Sequence, residues 1–293
     1  MLKNYLNNFK GFNKEIWILT FITFLNRAGT MVIPFLSKYM KENLFFSYSQ
    51  IGWIMFFFGT GSIIGSWLSG KLSDKIGFYK VMFFSLFMSG VTFILLQYLT
   101  SFESLCIGIL ILTSIADMYR PAMLLALDTY GSKETRTRAL TLTRMAINTG
   151  FLIGPVLGGL IIMKVGYNGL FWIDGLTCIL AITIFSILVK EKKLPFKLKK
   201  IKNNTSSIKI IFSDKPFVLH LVITMITGIL FFQMFTTLPL YYKEQFNLTE
   251  FETGLLLSFS GLFIILFELP IVRFVEEKNI DRIKVISLGT LSM

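Results

Sequence analysis

The sequence predicts an all-α membrane protein, a bundle of eight membrane-crossing helices followed by the start of a ninth. Three observations carry this. First, 54% of the 293 residues are hydrophobic and only 16% charged, with a mean hydropathy of +0.67; a soluble domain sits near about 45–50% apolar and 25% charged. Second, the 31 phenylalanines fall in long apolar blocks rather than at core spacing. Third, windows of about 20 mostly apolar residues, enough to cross roughly 30 Å of hydrocarbon, recur at 16–38, 49–70, 80–100, 104–127, 140–163, 168–190, 217–241 and 252–274.

The first window follows Lys3, Lys10 and Lys14, as a signal peptide would. Its apolar run continues past Asn26 and Arg27 to Met40, too long for the core of a signal, and no small-residue cleavage site follows. It therefore reads as a span. A ninth span begins near Lys284 with ten residues before Met293, about half the length needed at roughly 1.5 Å per residue. The expectation is a chain that stops inside a membrane helix.

The net charge of +12 reports topology. Of the 29 Lys and Arg, 22 lie in segments that alternating spans place on one side of the membrane, and only Lys38, Lys41, Lys164 and Lys243 lie on the other. The positive-inside rule makes the richer side cytoplasmic, with the N-terminus on it. No basic soluble face remains for nucleic acid. Nine of the 22 crowd into Lys190–Lys215, a basic linker able to touch anionic lipid headgroups. Frequent Lys, Asn, Ile and Phe suit a low-GC bacterium, hence a bacterial inner membrane.

The linker divides the chain into an N-terminal six-helix half (1–190), the linker itself (191–215) and a partial C-terminal half (216–293). The second half echoes the first. At an offset of 202 residues, Gly52, Phe57, Gly59, Ile63, Lys71, Asp74 and Lys80 fall on Gly254, Phe259, Gly261, Ile265, Arg273, Glu276 and Arg282; at 205, Pro34 falls on Pro239. Two parallel repeats are expected, the second cut short.

Two motifs stand out. Between spans two and three the chain reads Gly70-Lys71-Leu72-Ser73-Asp74-Lys75-Ile76-Gly77-Phe78-Tyr79-Lys80. Glycines at both ends permit a tight turn, and an acid among bases suits a switchable ion cluster at a helix terminus. In span five, Gly150, Gly154 and Gly158 recur every fourth residue, followed by Gly159 and interrupted by Pro155. Such spacing lets a neighbouring helix approach closely, while the proline costs a backbone hydrogen bond. Helix packing alone would account for it.

The first motif resembles the GxLxDxxGxxK loop of the major facilitator superfamily, the large class of twelve-helix secondary transporters. The second resembles the GxxxGPxxGG antiporter motif of its proton-coupled drug and metabolite exporters. The resemblance implies a major facilitator type helical bundle. It also implies that Gly70, Asp74, Lys75, Gly77 and Lys80 form a cytoplasmic gate, with Asp128 at the end of span four as partner of Asp74.

Six ionisable residues lie inside spans: Arg27, Arg120, Arg144, Asp117, Asp174 and Glu268. A charge at mid-membrane costs at least about 2.5 kcal/mol unless paired or hydrated, so each is a functional-site hypothesis. Asp117 and Arg120 are three apart and Arg144 and Asn148 four apart, spacings that share a helix face. By analogy with the superfamily, spans one, four and five line a central cavity. Asn26, Arg27, Asp117, Arg120, Arg144 and Asn148 would then surround substrate, with Gln233 of span seven as a further polar contact. Asp117 is the expected proton carrier, and Arg27 or Arg144 competes with substrate for it; Arg120 resembles the helix-four arginine linked to proton coupling. The same charges could instead form a structural ion-pair network. Asp174 and Glu268 read as packing or gate residues, His220 as interfacial, and Cys106 and Cys178 as small packing residues.

No Walker loop, metal-ligand cluster or GxSxG elbow occurs. The chain therefore reads as a monomeric secondary transporter without cofactor, driven by a proton gradient and exporting drugs or small metabolites. Solute–proton symport, or a truncated membrane protein without transport, are the alternatives.

Overall fold

The computed structural model describes residues 11–132, 136–192, 212–278 and 287–289. Eight apolar stretches among them are long enough to cross a membrane, and they coincide with the eight sequence windows. Span one consists of α1 (Lys14–Gly29) and α2 (Val32–Glu42), span two of α3 (Tyr48–Ile76) and span three of α4 (Phe78–Leu96). Span four consists of α5 (Phe102–Ala116) and α6 (Tyr119–Tyr130), span five of α7 (Arg136–Val165) and span six of α8 (Tyr167–Leu188). Span seven is α9 (Lys215–Thr236) with α10 (Leu238–Phe246), and span eight is α11 (Glu250–Glu277). The expected ninth span, most of the basic linker and the repeat charges from Arg273 onward lie outside the described residues or side chains.

Spans one and four are broken in mid-course, and each break lies four residues before a proline. Pro34 has no N–H for the carbonyl of Thr30, and Pro121 none for that of Asp117; the proline ring also collides with that carbonyl. The chain leaves helical pairing at Thr30–Met31 and at Asp117–Met118. In hydrocarbon the freed groups need partners from the protein. At the first break, Asp174 of α8 supplies them: its carboxylate accepts the N–H of Met31 at 3.0 Å and of Val32 at 2.9 Å. At the second, the fully buried Ser85 of α4 donates to the carbonyl of Ile115 at 2.7 Å and Ser69 of α3 to that of Met118 at 2.6 Å. Span seven turns at Thr237, two residues before Pro239. Pro155, by contrast, is carried inside a continuous α7.

Small residues set the helix spacing. A Cβ at Gly65 would lie 2.4 Å from the Ser114 carbonyl oxygen, bringing α3 onto α5. Gly90 and Gly175 face one another across α4 and α8, each with its neighbour's carbonyl within 2.7 Å of the missing Cβ. The most extensive interface joins α7 to α11; α1 packs on α7 and α8. The core of buried Ile, Leu, Phe and Met side chains runs through spans one to six. The α9 helix is largely exposed, touching the rest chiefly through α2 and α10.

One expectation needs correction. Gly70 does not open a turn: α3 continues through Asp74 and Lys75 to Ile76, and the reversal is made by Gly77 alone, at φ +88° and ψ 148°. Its N–H closes the helix on the Ser73 carbonyl at 3.1 Å. Only glycine adopts that backbone without strain. Gly77→Ala should therefore destabilise the protein by about 1–3 kcal/mol, read as earlier unfolding in a detergent titration, whereas Gly70→Ala, inside the helix with open space for its Cβ, should raise the midpoint slightly.

Candidate functional site

The two proline breaks face each other across a cleft in the N-terminal six helices. It offers a cavity of about 70 Å³, and its wall is mainly apolar, with Val32, Ile33, Leu36, Phe58, Leu86 and Phe93 among its lining. Asn26, Arg27 and Thr30 reach it from span one, Thr113, Asp117 and Tyr119 from span four, and Ser89 and Cys178 from spans three and six. The break in span four places Asp117 at the end of α5, where its N–H still bonds the Thr113 carbonyl at 3.0 Å, and turns its side chain to the cleft.

The neutral polar groups of the wall are engaged with the protein. Asn26 Nδ2 donates to Cys178 Sγ at 3.4 Å and Thr30 Oγ1 to the Asn26 carbonyl at 2.8 Å. Ser89 and Thr113 donate to carbonyls one turn back in their own helices, and the Tyr119 hydroxyl pairs with Thr23 at 3.2 Å. Arg27 differs. Its Nε is buried without a hydrogen-bond partner, and no ion pair joins it to Asp117, so their charged atoms are more than 4.0 Å apart. Asp117 nonetheless attracts the guanidinium through space, and Arg120 repels it. Phe151 supports Arg27 from the side, the guanidinium carbon lying 6.0 Å from its ring centre.

The glycine motif of span five positions this arginine. A Cβ on Gly150 would come within 2.6 Å of Arg27 Cβ and 2.9 Å of the Ala28 nitrogen. Gly154 lies against the Ala28 carbonyl, and Gly158 against Phe35 and Met31. Gly159 faces the other way, onto Glu250 and Phe251 of α11, and Gly254 of α11 returns the contact at the Pro155 carbonyl. Span five thus lies between span one, which bears Arg27, and span eight.

The structure does not bring every sequence-predicted residue to the cleft. Arg120 shares no face with Asp117, because the helix breaks between them; it is exposed and outside the lining. Arg144 is exposed and Asn148 half-buried on α7, neither in the cleft wall. Gln233 is exposed on α9, and His220 is exposed as well. Asp74, Lys75 and Lys80 are exposed at one end of the bundle. Asp128 does not meet Asp74: it holds Arg136 with both oxygens, at 2.6 and 2.7 Å. Those two residues begin and end one short connection, so the pair forms locally. The Glu268 side chain lies outside the described ones.

The opposite end carries a polar closure that the sequence reading missed. Lys38, expected in a loop, lies inside α2 with its side chain fully buried, 2.7 Å from Glu250 at the start of α11. Around it Lys243 faces Glu42 at 3.8 Å, the Tyr48 hydroxyl bonds Glu244, and the Tyr167 hydroxyl donates to Glu42 at 3.3 Å. These pairs tie spans one and two to spans seven and eight, and span six to span one. A lysine at the end of an apolar window was the one available signal; its partner is more than two hundred residues away.

The sequence profile of the Major Facilitator Superfamily matches residues 16–293. The chain belongs to the major facilitator superfamily. It is accordingly an integral membrane protein of a transporter family, with the helical bundle of that superfamily. The chain is 24% identical over 265 residues to the quinolone resistance protein NorA of Staphylococcus aureus strain MSSA476, a match covering 88% of this chain and 66% of that protein. It is 25% identical over 263 residues to the uncharacterized MFS-type transporter YuxJ of Bacillus subtilis strain 168, covering 84% and 64%. The chain thus spans just under two thirds of the length of the curated relatives it matches.

Breaking a buried charge pair costs about 3–5 kcal/mol because one ion is left alone in low dielectric. Lys38→Met should therefore destabilise the protein by about 3 kcal/mol, and the double variant Lys38→Met, Glu250→Gln should recover most of that loss in a double-mutant cycle of detergent unfolding.

Proposed function

We propose that the protein is a proton-coupled secondary transporter of the bacterial inner membrane that exports drugs or small metabolites by alternating access. The observation that carries this is the cleft: an apolar hollow at the breaks of two spans, which a guanidinium enters from one and a carboxylate from the other without forming an ion pair. Discontinuous helices around a mid-membrane hollow are how secondary transporters build sites. Asp117 is the proton carrier in this reading. A proton on its carboxyl removes both its attraction for Arg27 and its hold on a substrate cation, so proton and substrate alternate at one oxygen. Export rather than uptake is supported by the likeness to NorA, a quinolone resistance protein.

In this reading the cytoplasmic N-terminus follows from the distribution of Lys and Arg. The Lys38–Glu250 closure then lies on the outer side and the Asp74 loop on the inner, so the structure corresponds to an outward-closed state. The two halves, 1–190 and 216–293, would rock about the α7–α11 contact. Breaks a few residues before Pro34 and before Pro239 support the repeat. So do Gly52 and Gly59, which leave on α3 an open face where their counterparts Gly254 and Gly261 seat α11 on α7. The working unit is a monomer driven by the proton gradient alone.

Everted vesicles from cells producing the protein should release protons from their lumen when a quinolone is added outside. Asp117→Asn should abolish that release and all accumulation against a gradient, while downhill flux persists. Full proton-driven exchange in the variant would sink the assignment of Asp117, and substrate moving with the proton rather than against it would replace antiport by symport.

A further inference from the structure

We infer that the cleft selects a zwitterion: a flat apolar body carrying an anionic group for Arg27 and a cationic group for Asp117. The inference rests on the transporter reading for its biological meaning, but its argument is the chemistry of the wall.

Of the residues that line the cleft, two are charged, one of each sign. Arg27 presents five donors and can accept nothing; Asp117 in its ionised form presents only acceptors. Neither makes an ion pair or a side-chain hydrogen bond among the described residues, although each is an inviting partner for the other. Their separation explains this, since Gly150 and Phe151 fix the base of Arg27 on one side and the span-four break fixes Asp117 on the other. Buried polar groups in folded proteins are nearly always satisfied, so the buried Arg27 Nε calls for a partner supplied from elsewhere, and the half-buried Asp117 faces the same space. A ligand with a single charge would satisfy one group and leave the other facing it with like sign. A ligand with both charges satisfies both, and the net charge of the pair plus ligand stays at zero.

The neutral hydrogen-bonding groups in the wall are already engaged within the protein, so charge is the main polar feature left to read. Leu36, Leu86, Phe58 and Phe93 supply the apolar sides that a flat body would cover. Arg120 stands outside the lining, and Asp174 is occupied by the Met31 and Val32 amides. Arg120 nonetheless lies near enough to repel Arg27, which adds to the demand for an anionic group beside that guanidinium.

A matched set of probes tests this in the full 293-residue chain reconstituted in lipid nanodiscs, by direct binding without transport. The zwitterion 4-(aminomethyl)benzoate is compared with the cation 4-(aminomethyl)benzamide and the anion 4-(acetamidomethyl)benzoate, which share its ring. The zwitterion should bind at least about tenfold more tightly than either, the fold-change of one charge-assisted hydrogen bond. Arg27→Gln should erase its advantage over the cation but not over the anion, and Asp117→Asn the reverse. Arg27→Lys, which keeps the charge and loses the fork, should retain part of the first preference. Equal binding of the three probes, tighter binding of a singly charged one, no binding of any, or variants that leave the ranking unchanged would each overturn the inference. The wild-type ranking decides even if a variant fails to fold. Zwitterion preference without proton-coupled flux would leave the inference standing and remove the transport reading; flux with a flat ranking would do the opposite.

Discussion

A proline inside a membrane helix frees backbone groups that lipid cannot satisfy, and the arrangement of this bundle follows from how those groups are met. Asp174 is the clearest case. Buried at 1% exposure, its carboxyl group spans the amides of Met31, just before α2, and of Val32, its first residue, at the partially positive helix terminus. Leaving one of these buried amides without its acceptor costs about 1–3 kcal/mol. The contact fixes span six to the break in span one, and the break sets the direction in which Asn26, Arg27 and Thr30 face. Ser69 and Ser85 do the same for span four with uncharged donors. Two helices interrupted at matching depth then leave a hollow that continuous helices would fill.

That hollow is coupled to the rest of the chain through span five. Gly150 and Gly154 press on the segment bearing Arg27 while Gly159 and Pro155 press on α11. A movement of span eight relative to span five is therefore transmitted through one rigid helix to the charged wall of the cleft. Within α2 the Lys38–Glu250 pair joins span one to the start of α11 directly. A buried ion pair contributes little net stability compared with apolar packing, yet losing one partner is costly. Such a contact suits a joint that is fully made or fully open.

Much of this was legible in the sequence, because the bilayer imposes a simple rule on it. Eight windows of the right length sufficed to place eight spans, and the glycine ladder at Gly150–Gly159 and the acid-base loop at Asp74 pointed to the family. Arg27 and Asp117 were visible as charges that a membrane tolerates only for a reason. What periodicity could not show was where a helix stops behaving as one. The i, i+3 spacing of Asp117 and Arg120 promised a shared face, and Pro121 undid it. Gly70 looked like a turn, but nothing in its surroundings obliged the helix to end before Gly77. Contacts between distant residues were out of reach altogether: Lys38 with Glu250, and Asp174 with Met31, join positions whose spacing carries no signal in a single chain.

The dependence of the site on the buried carboxylate can be measured at the amides it holds. Hydrogen exchange resolved at Met31 and Val32, in nanodiscs, compares the protein with its Asp174→Ala variant. If Asp174 maintains the break in span one, the Val32 amide is protected in the parent and exchanges about tenfold faster in the variant, as a buried amide left without its acceptor requires, while Met31 keeps the Gly29 carbonyl at 2.8 Å. Other amides of α1 should remain unchanged. Equal protection of Val32 in the two proteins would contradict the account, because the break and the cleft beside it would then be held by something other than Asp174.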